Sequence, residues 1–363
     1  MKKNLSLFLA AVLSLSLLSG CGPKQASSTT SSSSTGTSSS TSGSLSSGDS
    51  SSSVGYTLPK LMVLSGPTGV GAAKLMADTA YAASNGGKTP DGNWPAIQDD
   101  PIVVADNQQI TDALVNGQAD IAAIATNVAA TLDAKSNGLI QVLAVNTLGV
   151  LYILEKGDTV HSLADLSGKT VYATGQGANP EYILNYLLEQ NGVDPAQVDI
   201  QWMTAQEVSA KMASAESGIC MLPVPSATAL MVQDSQVRQA LSLSEIWDTL
   251  EKGTLPMGCI VARTDYIQEN PQGVEAFLSA YADSIAYMSD SANLEDAAQL
   301  VAQYEITPNA AVAKAAIPQC NLAFLTGSDM KLTLENYYQV LFQANPDSIG
   351  GGLPYDSFYY GVE

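Results

Sequence analysis

The chain has 363 residues, room for about two domains, and carries 35 Asp and Glu against 15 Lys and Arg, a formal net charge of −20. So acidic a surface repels phosphate backbones and argues against nucleic acid as a partner. One histidine, His161, leaves little scope for a His-rich metal site or histidine acid–base chemistry, and the four cysteines, Cys21, Cys220, Cys259 and Cys320, include no CxxC spacing that would support a zinc or redox motif.

Residues 1–20 place Lys2 and Lys3 before an apolar run from Leu5 to Leu18, the order of a secretory signal, and the run is too short and too rich in serine for a membrane span. Leu18-Ser19-Gly20-Cys21 resembles the lipobox of bacterial lipoproteins. That resemblance implies cleavage before Cys21, lipidation of its thiol, and a protein anchored at the extracytoplasmic face of the cell membrane. Residues 21–55 are then almost entirely Ser, Thr and Gly, which cannot bury a core and read as a disordered linker. Its reach is roughly 30 Å.

The folded body begins near Tyr56. Lys60 to Leu64 reads as a buried strand, followed by the Gly-containing loop Ser65-Gly66-Pro67-Thr68-Gly69 and a helix over 70–83. The loop lacks the Gly-Lys-Ser/Thr ending of a P-loop. Ile102 to Ala105 is the next strand, ending at Asp106-Asn107, which can cap a helix over 108–115; Ile121 to Ala125 follows, ending at Thr126-Asn127, which can cap another. Leu139 to Val145 is a further strand. Three successive strands thus end in polar loops, which a doubly wound sheet gathers at one crevice.

From Asn146 to Gly192 the chain runs through an apolar strand at 150–154, a polar link, a strand over 170–174, and the loop Gly175-Gln176-Gly177-Ala178-Asn179-Pro180 into an amphipathic helix. A helix start reached through small residues exposes backbone N–H groups, attractive to an anion or a polar small molecule. The candidate ligand-binding residues are therefore Ser65, Gly66, Pro67, Thr68, Asn107, Thr126 and Asn127 on one side, Thr174, Gly175, Gln176, Gly177, Ala178 and Asn179 on the other, and Asn146 and Thr147 between them. Asn107, Asn127 and Asn179 have helix capping as a competing role. Further on, strands are expected over 198–203, 218–222 and 257–262, and helices over 205–214, 226–233, 272–288, 294–304, 308–316 and 329–343, with the glycine-rich, aromatic tail from Ile349 packing back onto a groove. A chain that leaves one lobe and returns crosses twice, and Asn146–Tyr152 and Pro256–Val261 are the expected crossings. The domain boundaries that follow are 56–147 with 262–363 for lobe 1 and 148–261 for lobe 2. Trp247 and Tyr152 read as core and His161 as an exposed loop residue. Cys220, Cys259 and Cys320 read as buried small hydrophobes, with Cys220–Cys259 the one pair to check for a disulfide.

From Tyr56 onward the chain resembles the solute-binding proteins of ABC importers for nitrate, sulfonate, taurine and thiamine precursors. The resemblance is carried by Gly117-Gln118-Ala119-Asp120-Ile121-Ala122, by Ser162 to Val171 (SLADLSGKTV), by Met221-Leu222-Pro223-Val224-Pro225, by Arg263 to Pro271 (RTDYIQENP) and by the C-terminal Gly-Gly-x-Leu-Pro element. Val224 departs from it, standing where Glu or Gln is common. The resemblance implies an α/β, two-lobe periplasmic-binding-protein-like fold of type II, each lobe a mixed sheet flanked by helices, with a two-strand hinge. It implies a monomer that captures a small polar or anionic solute and delivers it to a permease with its ATPase, using no cofactor, metal or catalytic residue. A ligand-presenting surface sensor is the alternative role. Thiamine-pyrimidine synthases share the fold but depend on an active-site histidine, which only His161 could supply.

Overall fold

The computed structural model describes residues 55–250 and 253–362. The expected signal segment, Cys21 and nearly all of the linker lie outside them. The architecture is two mixed sheets flanked by helices, both within one unit, Ser52–Glu363.

The first sheet has six strands. β1 (Leu61–Leu64) pairs in parallel with β2 (Ile102–Val104) and β3 (Ile121–Ala125). β3 (IAAIA) is apolar and buried throughout, as a strand covered on both faces must be. α1 (Pro67–Val70), α2 (Ala73–Ser84), α3 (Asn107–Val115) and α4 (Thr126–Ser136) follow these strands. β4 (Ile140–Leu148) completes this stretch of chain. The single helix expected over 70–83 is divided at Gly71, where a Cβ would lie 2.3 Å from Ile285 Cδ1. Only glycine allows that approach.

The chain then enters the second sheet. It comprises β5 (Leu151–Lys156), β6 (Thr170–Ala173), β7 (Asp199–Trp202), β8 (Gly218–Pro223) and β9 (Val237–Ser242), in the order β7-β6-β8-β5-β9. α5 (Asn179–Gln190), α6 (Ala205–Ser214), α7 (Ser226–Gln233) and α8 (Leu243–Asp248) accompany it. β9 was not expected. It is an edge strand with a mixed, largely polar sequence, VRQALS, held by pairing with β5 alone.

β10 (Pro256–Arg263) returns the chain to the first sheet, antiparallel between β3 and β4. The segment 256–261, expected to make the return crossing, therefore belongs to the first sheet, and the crossing lies between β9 and Pro256. The outward crossing is short, at Gly149-Val150 between β4 and β5. Because Leu148 pairs with Pro256, both crossings leave from adjacent antiparallel strands. α9 (Thr264–Glu269), α10 (Pro271–Ser289), α11 (Leu294–Gln303) and α12 (Ala310–Ala316) follow, then the short edge strand β11 (Leu322–Leu325) on β4 and α13 (Gly327–Ala344). The tail packs back as expected: Phe358 and Tyr359 are buried, and Tyr359 bridges to Val142.

Cys220, Cys259 and Cys320 are free and buried. Burial pushes the thiols of Cys220 and Cys320 up to about 12, so neither is a nucleophile at neutral pH. Trp247 is fully buried, against Tyr186 and Tyr337. Arg263 is tied to Asp265 and to the carbonyl of Leu114, a structural role.

Candidate functional site between the two sheets

The parallel strands β1, β2 and β3 deliver their carboxyl ends to one edge of the first sheet, and β6, β7 and β8 do the same in the second. These two edges meet. Gly66, after β1, has φ +90°, and a Cβ there would lie 3.8 Å from Pro225 Cδ, after β8. The contact is sharper at the start of α5. Asn179 Nδ2 donates to Thr126 Oγ1 (3.1 Å) and to the Met257 carbonyl (3.0 Å), while Tyr337 Oη donates to Asn179 Oδ1 (2.7 Å). Thr126 Oγ1 in turn donates to the Pro256 carbonyl (2.9 Å), and Tyr338 Oη to the Thr126 carbonyl (2.9 Å). One side chain of the second lobe is thus held by three groups of the first, both of its N–H donors being used.

Capping explains less than the sequence implies. Asp106 does cap α3, accepting from Gln108 N (2.8 Å), and Asn107 Oδ1 reaches across to Ala125 N (3.2 Å). α4 and α5 are entered from Ala125 and Ala178, with no side-chain cap; Thr126 and Asn179 are already the first helical residues.

Of the fifteen candidate residues, Thr68, Thr126, Asn127, Asn146, Thr147 and Asn179 are buried. Asn146 Nδ2 donates to the Thr68 carbonyl and to Tyr281 Oη, both at 2.8 Å, and its Oδ1 accepts from Thr147 Oγ1. This cluster braces the end of β4. Gly258 of β10 passes so close that a Cβ would sit 2.8 Å from Asn146 Oδ1 and Thr68 Oγ1. Asn127 Nδ2 points to the Ser348 carbonyl (3.4 Å), and its buried Oδ1 has no partner. Ser65, Gly66, Pro67, Asn107, Thr174, Gly175 and Ala178 are half-buried, and Gln176 and Gly177 exposed.

The α5 entry loop is not bare. Gly177 N donates to Glu181 Oε2 (2.6 Å), so a carboxylate from the first turn already holds one of the N–H groups read as open to a ligand. Burial first, then the carboxylates of Glu181 and Asp347, raises the Tyr182 phenol beside it. Val224 is fully buried in the core, so the turn that carries Glu or Gln in the resembling proteins presents no polar side chain here.

Sequence reasoning missed Tyr337, Tyr281 and Pro225 as neighbours of this face. The tyrosines come from helices far along the chain and look like ordinary core positions. Glu181 was visible as an acidic first-turn residue, the one local clue that the helix start could be self-occupied.

Residues 100–292, just over half of the chain, match the family model described as NMT1/THI5 like. The chain belongs to this NMT1/THI5-like family. No curated protein sequence matches it. Among solved structures, an ABC transporter from Parabacteroides distasonis superposes with a TM-score of 0.67 at 21% identity, over 84% of this chain and 98% of that one. The periplasmic aliphatic sulphonate binding protein SsuA from Escherichia coli gives 0.63 at 15% identity, over 80% and 92%. The periplasmic nitrate-binding protein NrtA from Synechocystis PCC 6803 gives 0.50 at 18%, over 68% and 67%. The fold of this NMT1/THI5-like chain is accordingly the two-lobe, type II periplasmic-binding-protein fold.

Proposed function

We propose that the chain is the extracytoplasmic solute-binding lipoprotein of an ABC importer, holding a small polar solute between its lobes and presenting the closed form to a permease. The observation that carries this reading is the meeting of two sets of strand ends, bridged by Asn179 and Thr126, in a chain whose fold is similar to that of proteins named as an ABC transporter and as a periplasmic sulphonate binding protein. A bridge of three hydrogen bonds at Asn179, each of modest net worth, is strong enough to hold a closed form and weak enough to open for solute, the balance that population shift needs. The half-buried Ser65, Asn107 and Thr174, with the exposed Gln176 and Gly177, are the proposed contacts. The domain reading follows the sheets, lobe 1 taking residues up to Leu148 and from Pro256, and lobe 2 the stretch between. An enzymatic reading would need His161, which is 65% exposed in the link after β5, with Asp158 at 3.9 Å.

The solute class is tested by a thermal-shift screen of nitrate, alkanesulfonates and pyrimidines on the native protein and on Glu181→Gln. A true ligand at a hundredfold excess over its Kd stabilises by about 2.7 kcal/mol. For an anion, removing the Glu181 charge tightens binding by at least about fivefold, the effect of one unit charge at about 4 Å even with the screening of bulk water. A neutral pyrimidine is indifferent to the change. No stabilisation by any solute sinks the proposal.

Membrane attachment has its own test. Among the described residues no helix is long and apolar enough to cross a membrane, so attachment is proposed to rest on Cys21. Cys21→Ala is expected to move the protein from the membrane fraction to the soluble one; retention in the membrane would contradict lipidation.

A further inference from the structure

A cavity lies away from the face between the lobes, on the C-terminal half of α4. Its volume is about 500 Å³, and its walls are Ala130 and Asp133 of α4, Asn137 just after the helix, and the glycine-rich tail from Gly350 to Tyr355. The tail comes this close only because Gly350 has φ +80° and no side chain; a Cβ there would meet Ala134 Cβ at 2.8 Å. The sequence marks this tail as unusual, and solute capture between the lobes makes no use of it.

The cavity holds a carboxylate with no protein partner among the described residues. Asp133 is 8% exposed, yet no described residue donates a hydrogen bond to its carboxylate and no Lys or Arg pairs with it. The one nearby cation in an ion pair, Lys331, is held by Asp356 (2.7 Å) and Glu335 (3.8 Å). Tyr359 Oη, from the tail, is buried without a partner in the same neighbourhood. Its oxygens are not among the fully buried unpartnered side-chain atoms, so they face the cavity and can be reached through it, while burial of the rest of the residue pushes Asp133 up to about 6. Such a group in a cavity marks a place where a ligand completes the pairing. Among the described residues there is no cluster of three His, Cys, Asp or Glu able to hold a metal ion. The volume suits a molecule of several heavy atoms. Tyr355, 82% exposed on the cavity wall, offers an aromatic face of the kind that attracts ammonium groups.

We propose that the cavity between α4 and the glycine-rich tail is an accessory binding site for a small organic ammonium ion, with Asp133 as its counter-ion and Tyr355 as its aromatic wall. The site is independent of the solute held between the lobes. Isothermal titration of the purified full-length protein with ethylammonium and with tetramethylammonium chloride, against sodium chloride at equal ionic strength, reads it directly. Saturable binding of at least one ammonium is expected. Asp133→Asn should weaken it at least tenfold and Tyr355→Ala several-fold, both variants melting cooperatively. Ser357→Phe, which keeps the carboxylate but fills the cavity, should abolish it. Absence of saturable binding beyond the sodium control overturns the proposal, and so does equal binding by Asp133→Asn.

Discussion

Replacing Asn179 with alanine is expected to destabilise the protein by about 2–4 kcal/mol, read as a lower urea midpoint at unchanged slope. The side chain is 1% exposed and makes three hydrogen bonds, all to groups of the other lobe or of α13. Truncation leaves the Tyr337 hydroxyl without its acceptor, in a site that is itself 0% exposed. A buried donor left unsatisfied costs about 1–3 kcal/mol, more than the net worth of the bond that was lost. Adding Tyr337→Phe removes that orphan, so the double variant should recover part of the loss, with a coupling energy above about 0.5 kcal/mol. Because the bridge spans the lobes, the alanine variant should also favour the open form and bind solute more weakly. A loss below about 0.5 kcal/mol with no coupling to Tyr337 would show that the bridge does not hold the lobes.

The second large effect lies at the far end of the second sheet. Arg238→Met is expected to cost about 2–3 kcal/mol at pH 7, below the about 3–5 kcal/mol for breaking a fully buried ion pair because the guanidinium is partly exposed. Glu155 is 2% exposed. Its carboxylate accepts from Thr159 N (2.8 Å), Thr159 Oγ1 (2.7 Å), Val160 N (3.1 Å) and Arg238 Nη2 (2.6 Å). Arg238 also donates to the carbonyls of Gly157 and Val160, so it closes the whole 157–160 turn. Burial alone would raise the Glu155 carboxyl, but the bonds from Thr159 and Val160 and the Arg238 charge more than offset it and hold the group below its ordinary range. With a folded value below the unfolded one, this carboxylate contributes stability that is fully present above the ordinary glutamate range, and it is lost as pH falls through the folded value. In Arg238→Met the opposing burial effect gains weight. The variant's deficit should therefore be largest near neutrality and shrink in acid, where Glu155 is protonated in both proteins. Urea melts at several pH values measure this; a deficit independent of pH would mean that Arg238 contributes by packing and carbonyl bonding alone.

Much of the fold was legible in order along the chain. β3, α6 and α7 lie where periodicity and turn residues put them, because an apolar run covered on both faces and an amphipathic helix each carry their signal in a few consecutive residues. β9 and β11 were not legible. Both are edge strands whose existence depends on one neighbour, β5 or β4, rather than on a local pattern. The position of the return crossing was misjudged for a related reason: an apolar strand such as β10 looks the same whether it links two sheets or lies within one, and only its pairing with β3 and β4 separates the two.

The candidate site divides along the same line. Sequence by itself determined which loops end the parallel strands and that helices start beside Thr126 and Asn179, read there as caps, since strand–loop–helix order and turn chemistry are local properties. Tertiary structure alone decided that these two side chains bond to each other, that Tyr337, 158 positions from Asn179, completes the bridge, and that Glu181 holds the Gly177 N–H. It also decided that Asp133, an unremarked residue in the middle of a helix, stands unpaired in a cavity walled by the tail. Hydrogen-bond partners and burial depend on which distant segments pack together, and no local window of the chain contains that information.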